Sequence, residues 1–292
     1  MNKLAFWGIF IIPIFWGIGF PLTHNAVRLV NPGVFAFYRQ VIAAVCLFPF
    51  AVKFFSQLDK RIIIGGFFIG LWSTLSMVSQ SFALSTISSA MTAFFVTLNI
   101  LFVPFLLLVF NLSRIKIADV VAVLLGLLSI FITFHGSLSG FRTGDLFGLL
   151  AAFAIAMNII TIQIITKDKA INRFLLAFIS MVFGVIFLCY FPLASGTNES
   201  FGSAKVWGAL LYQGCISTAL AYLLQMMFQK QVGETRTSLI LNLDLVFASL
   251  FGLLNSEPLT LAQIMGGLLA LFASIFHDTI PFFKSKIWSV KK

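Results

Sequence analysis

Residues Leu239 to Leu254 read LILNLDLVFASLFGLL, a run that is almost wholly apolar yet holds Asp244 near its middle and Asn242 two residues earlier. As a helix rising 1.5 Å per residue it reaches about 24 Å, most of the roughly 30 Å hydrocarbon core of a bilayer. The rest of the chain has the same texture. Of its 292 residues 60 % are hydrophobic and 10 % charged, with a mean hydropathy of +1.05, too little polar surface for a water-soluble globule. An integral membrane protein is therefore expected, and an all-α one.

Ten apolar runs can be marked out, near 4 to 23, 34 to 52, 62 to 84, 88 to 110, 117 to 135, 146 to 166, 174 to 193, 206 to 229, 236 to 254 and 260 to 279. Turn-forming breaks such as NPG at Asn31, SGTNESFGSAK around Asn198 and NSEP before Leu259 separate them. The opening MNKLAFWGIFIIPIFWGIGF resembles a signal peptide but lacks small-residue cleavage spacing, so it is read as an uncleaved first span. The net charge of +10 is a topology signal, because no basic groove is interleaved with stacking aromatics. With a cytoplasmic amino terminus, fifteen of the 19 basic residues fall inside; Arg28, Arg142 and Lys205 fall outside, and Arg39 lies within a span. Both termini are thus expected in the cytoplasm, with the bacterial cytoplasmic membrane as the location and the 195 to 205 loop outside. Cys46, Cys189 and Cys215 are odd in number and lie in apolar runs, so no disulfide framework or zinc site follows.

The two halves resemble each other. LFPF around Phe48 matches YFPL around Phe191, and TLNILFVPFLL from Thr97 occupies the slot of NLDLVFASLFG from Asn242. A first repeat over 1 to 139 and a second over 140 to 292 would each hold five spans. An odd number inverts the second relative to the first, an arrangement that places a substrate site near the midplane.

A charge at mid-bilayer normally faces protein or a watery cavity. Asp244 lies about nine residues into its span, roughly 13 Å deep, and is either a structural carboxylate or a cavity group. Arg39 lies some six residues into the second span from the expected outer side, about 9 Å deep; it either snorkels to the interface or pairs with Asp244 or a substrate carboxylate. Helical spacing groups Gly214, Thr218, Tyr222, Gln225 and Gln229, then Ser73, Ser76 and Gln80, then Thr92, Phe95 and Asn99, each on one face. Such stripes serve either as interhelical glue or as the wall of a wet cavity. The first span adds Pro13, Trp16, Gly17, Phe20 and His24, with Pro21 interrupting its ladder, and the sixth adds Asn158 and Thr161. His24, His135 and His277 sit near span ends, where solvated rings are expected, with His24 a further candidate for proton coupling.

FWGIGFPLTHNAV in the first span, NPGVFAFYR leading the second, FALSTISSAMTAFF across the third and fourth, and TSLILNLDLVFASLFGLLNSEPLTLAQIMGGLLAL resemble the EamA family of the drug/metabolite transporter superfamily. The resemblance covers nearly the whole chain. It implies ten transmembrane helices as two inverted five-helix repeats, a central cavity lined mainly by spans 1, 3, 4, 6, 8 and 9, and transport of small metabolites, often amino-acid export. The sequence departs from the family pattern in carrying Asp244 where glutamate is frequent, Asn99 with Ile100 in the matching first-half slot, and Ser113 where the second half has Glu257.

The expected function is a secondary transporter exporting amino acids across the inner membrane by alternating access. The substrate-binding candidates are Trp16, Phe20, Gln80, Phe95, Asn99, Asn158, Thr161, Tyr222, Gln225, Asn242 and Asp244, with Arg39 for a substrate carboxylate and Asp244 or His24 for proton coupling. Burial and a neighbouring cation act on a carboxylate in opposite senses, which couples occupancy to protonation. Alternatives are transport of S-adenosylmethionine, nucleosides or drugs, a non-transporting membrane scaffold, and an intramembrane enzyme. One mid-span acid and no mid-span histidine argue against proteolysis, and no GxxxxGK[ST] sequence exists for ATP. No enzyme activity, cofactor, metal or nucleic-acid partner is expected. A small molecule and the lipid bilayer are the expected partners, and a homodimer is allowed for.

Overall fold

A computed structural model describes residues 3–112, 117–134, 141–167, 171–195 and 203–273. Ser113, His135, Ser200, His277, the boundary between 139 and 140, the end of the tenth span and the basic residues Arg114, Lys116, Lys169, Lys284, Lys286, Lys291 and Lys292 lie outside the described residues.

The described residues are helical, with no strand among them. Ten helices follow one another: α1 Lys3–Ala26, α2 Pro32–Ala51 prolonged by a 3-10 turn Val52–Gln57, α3 Lys60–Leu84, α4 Ser89–Val109, α5 Ile117–Thr133, α6 Thr143–Ile165, α7 Arg173–Ser195, α8 Ala204–Val232, α9 Arg236–Leu254 and α10 Leu261–Ala273. Eight are long and apolar enough to cross a membrane, and α5 and α10 are shorter apolar helices. Large apolar side chains such as Val45, Phe48, Leu124, Phe131 and Leu250 point outward, as a protein solvated by lipid requires.

The polar breaks in the sequence become helix caps. The Asn31 side chain accepts from the Gly33 and Val34 nitrogens with Pro32 in the first turn, Asp59 accepts from Ile62 at 2.8 Å, and Asn172 from Phe174 and Leu175. Each supplies an acceptor to backbone donors that a helix start leaves unpaired. Gly233, at φ +94°, ends α8 in a conformation that other residues rarely adopt.

The two halves of the chain interleave. α3 packs against α6 and α7, α2 against α7 and α8, and α1 against α8 and α9. The thiols of Cys46 on α2 and Cys215 on α8 meet at 3.2 Å, and both cysteines are free. Several helices are irregular, α7 among them with a break at Cys189, and three of the irregularities bear on one site. α4 is interrupted at Leu98 and α9 at Asn242 and Leu243, while Tyr212–Leu220 of α8 is wound as a π-helix. Backbone irregularity at membrane depth is tolerated where protein or a cavity surrounds it, and all three features lie beside one cavity.

Candidate functional site

A cavity of about 40 Å³ is lined by Trp16, Phe20 and Thr23 of α1, Arg39 of α2, five residues of α3 including Ser76 and Gln80, Val96 of α4, Ile155 of α6, Gln213 and Tyr222 of α8, and Asp244 of α9. At roughly 10–15 Å³ per water, the space holds about three waters.

Asp244 owes its position to the break in α9. The interruption makes it the first residue of a new helix, Asp244–Leu254, with its carboxylate beside the Leu245 N–H. A helix start carries unpaired N–H groups and partial positive charge, which favour a carboxylate there. The residue is 1 % exposed, and its Oδ1 has no hydrogen-bond partner. Arg39 also faces the cavity, is 8 % exposed and donates through Nε to Thr218 Oγ1 at 2.7 Å. It is buried within the bundle, not snorkelling, because the π-helical turn presents the Thr218 hydroxyl to α2. Arg39 and Asp244 are not hydrogen-bonded to each other, although they share the cavity.

The apolar wall is equally anchored. Trp16 donates from Nε1 to the Ser217 carbonyl at 2.8 Å, and the Ser217 and Tyr212 hydroxyls donate to Phe15 O. Tyr222 lies against Trp16 with ring centroids 6.2 Å apart. The π-helical segment thus ties both α1 and α2 to α8.

Several sequence candidates stand away from the cavity wall. Asn99 donates to Asn242 Oδ1 at 2.7 Å and accepts from the Ser238 hydroxyl at 2.7 Å, a bonded cluster joining the breaks of α4 and α9. Asn158 donates to Ile69 O, Thr161 to Met157 O and Gln225 to Gln229 Oε1, while Gln229 donates to Ile159 O. Phe95 packs among Phe94, Phe134 and Phe141. His24, expected to be solvated, is buried with Nδ1 2.7 Å from Leu84 O, because the ends of α1 and α3 close on each other and the ring meets an otherwise unpaired terminal carbonyl. Of the sequence candidates, Trp16, Phe20, Arg39, Gln80, Tyr222 and Asp244 are brought together.

Thr23, Ser81, Val96, Ile155 and Gln213 are lining residues that helical spacing missed. Gln213 and Tyr222 are nine residues apart, about two and a half turns at 3.6 per turn, hence on opposite faces of a regular helix. The i→i+5 bonding of the π segment turns both toward the cavity.

Polar ties join the helices on either side of the lining residues. Where α1 and α3 finish, Ser89 donates from N and Oγ to the two Glu257 carboxylate oxygens, each at 2.7 Å, and Asn25 donates to Asn255 at 2.9 Å. Toward the opposite end, Asn99, Asn242 and Ser238 sit immediately beyond Val96 and Asp244. Replacing Asn99 by leucine removes the bonds to both and is expected to cost about 1–3 kcal/mol, read as a lower melting temperature in detergent; an unchanged melt contradicts this account of the tie.

A ten-helix bundle with interrupted helices, enclosing a polar cavity with buried charges, defines a membrane transporter. Residues 3–135 and 142–277 each match the EamA-like transporter family. The chain belongs to that family. Two uncharacterized transporters of Archaeoglobus fulgidus are similar to it, one 28 % identical over 270 residues, covering 92 % of this chain and 83 % of the relative, the other 24 % identical over 267 residues, covering 88 % and 92 %. A crystal structure of 13 % sequence identity superposes with a TM-score of 0.67 over 96 % of this chain and 99 % of its own, a likeness of fold.

Proposed function

We propose that the protein exports zwitterionic amino acids, branched or aromatic ones first, by alternating access. One observation carries the reading: two buried opposite charges, Arg39 and Asp244, line a single cavity without bonding to each other. Uncompensated buried charge is expensive. A zwitterion supplies both counter-charges at once, its carboxylate toward Arg39 and its ammonium toward Asp244, with its side chain against Trp16, Phe20 and Tyr222.

A volume of about 40 Å³ is too small for such a ligand, so the described arrangement is read as an occluded state whose walls must part. The ties Ser89–Glu257 and Asn99–Asn242 are the contacts to be broken alternately. Two inverted repeats, 1–139 and 140–292, would make that exchange natural, and the breaks at Leu98 and Leu243, in matching slots of the two halves, support them. The excess of basic residues in the predicted inner loops supports cytoplasmic termini in an inner membrane. A proton or substrate gradient then supplies the energy.

The deciding experiment is uptake and release of radiolabelled L-leucine and L-phenylalanine by proteoliposomes holding the purified chain. Saturable flux, with each amino acid competing against the other, is expected; no flux above empty liposomes for any amino acid sinks the reading. Cysteine labelling tests the lining separately, with Cys46, Cys189 and Cys215 replaced by serine. Gln80→Cys and Tyr222→Cys are expected to react with small water-soluble thiol reagents and to be protected by L-leucine, whereas Asn99→Cys and Asn158→Cys stay largely inert. Equal reactivity at all four positions contradicts this assignment.

A further inference from the structure

Gln213 is a cavity residue to which the zwitterion reading gives no role. It lies in the π-helical segment of α8, lines the cavity and is 4 % exposed. Its amide nitrogen donates to the Gly19 carbonyl at 2.8 Å and to the Thr23 hydroxyl. A carbonyl only accepts, so Gly19 fixes which end of the amide is nitrogen. Oε1 is left as an acceptor, buried and without a hydrogen-bond partner. Asp244 Oδ1 is in the same condition in the same cavity. Other buried unpartnered side-chain atoms, such as Gln40 Oε1 and Thr237 Oγ1, belong to residues that do not line it.

Buried acceptors without donors are rare because each carries an unrecovered desolvation cost. Two of them in one small cavity ask for a ligand that offers at least two N–H donors. We propose that Gln213 Oε1 and Asp244 Oδ1 form a two-acceptor seat for a primary ammonium, which makes Gln213 a substrate-contacting residue that selects free amines over deaminated analogues. The proposal rests on the zwitterion reading for its substrate class. Asp244 supplies the charge from α9, and Gln213 supplies direction from α8, held by α1. Gly19 makes room for it, since a Cβ there would lie 2.9 Å from both amide atoms of Gln213.

The test is isothermal titration of the purified protein with three related probes: L-leucine, its decarboxylated amine isoamylamine and its deaminated acid 4-methylpentanoate. Gln213→Leu is expected to weaken L-leucine and isoamylamine by about 10- to 100-fold, the loss of a hydrogen bond to a charged group, and to leave 4-methylpentanoate within about twofold. Gly19→Ala, which displaces the amide while keeping Gln213, is expected to act the same way and serves if Gln213→Leu does not fold. Melting temperature checks folding in both. Amine binding that both variants retain, or an equal loss for all three probes, overturns the seat. If the wild type binds isoamylamine but not L-leucine, the zwitterion reading fails and the seat is judged on isoamylamine alone. If it binds neither amine, both fail.

Discussion

Asp244→Asn is expected to cut L-leucine flux into proteoliposomes by about a hundredfold while protein yield stays within about twofold of the wild type. The substitution keeps size and shape and removes the charge. Truncating one partner of a buried charge pair costs roughly 2–5 kcal/mol, which at 1.4 kcal/mol per decade spans more than one to more than three decades of affinity. Folding is spared because the carboxylate lies beside the Leu245 N–H, a donor that the amide oxygen also accepts from, and its Oδ1 is unpartnered. A second readout separates charge from shape. Protonation of the carboxylate removes its attraction for an ammonium, so wild-type flux should fall on the acid side of the range from about pH 5 to 8. The asparagine variant should be flat across it. A variant that transports normally at every pH makes Asp244 a structural residue and removes the main support for amino acids as substrates.

The second large effect is on packing. Gly17 of α1 lies against α9, where an added Cβ would overlap the Phe247 Cβ and lie 2.9 Å from the Phe247 carbonyl carbon and 3.0 Å from the Ala248 nitrogen. Two of these three are backbone atoms, which cannot rotate away as a flexible side chain does. Gly17→Ala is therefore expected to destabilise by about 3 kcal/mol, the upper part of the range for overpacking. Because Phe247 is three residues from Asp244, the strain also reaches the cavity. Gly208→Ala is the matched control: nothing lies within 4 Å of its Cβ position, and alanine in a helix interior is favoured over glycine by about 0.5–1 kcal/mol. Thermal melting of both variants in one detergent decides the matter. Equal melts for the two would show that α1 and α9 do not pack as described.

Glu257 shows how far the sequence could be read. Its place after the ninth span was plain, but its partner, Ser89, is 168 positions away. Only the packing of α9 beside the start of α4 reveals that one half of the chain caps a helix of the other. Asn99 is a similar case. Spacing placed it on a polar stripe with Thr92 and Phe95, yet Thr92 bonds back to Ser88 O, Phe95 enters an aromatic cluster and Asn99 turns to Asn242. A stripe records which residues share a face and leaves open what that face meets.

The sequence by itself determined the class of the molecule and the order of its apolar helices, because both follow from local quantities: hydropathy per residue and turn-forming breaks. It also marked Gln80 and Asp244 as polar groups that a lipid-facing surface would not hold, and Trp16, Phe20 and Tyr222 as candidate walls beside them. The tertiary structure decided which of the polar groups face a common space and which are spent on helix–helix bonds. It did so through features without a local signature, the breaks in α4 and α9 and the π-helical stretch of α8. Those depart from the 3.6-residue repeat on which reading a face from sequence depends, and their cost is met only by partners on other helices: Arg39 for Thr218, Trp16 for Ser217 and Gly19 for Gln213.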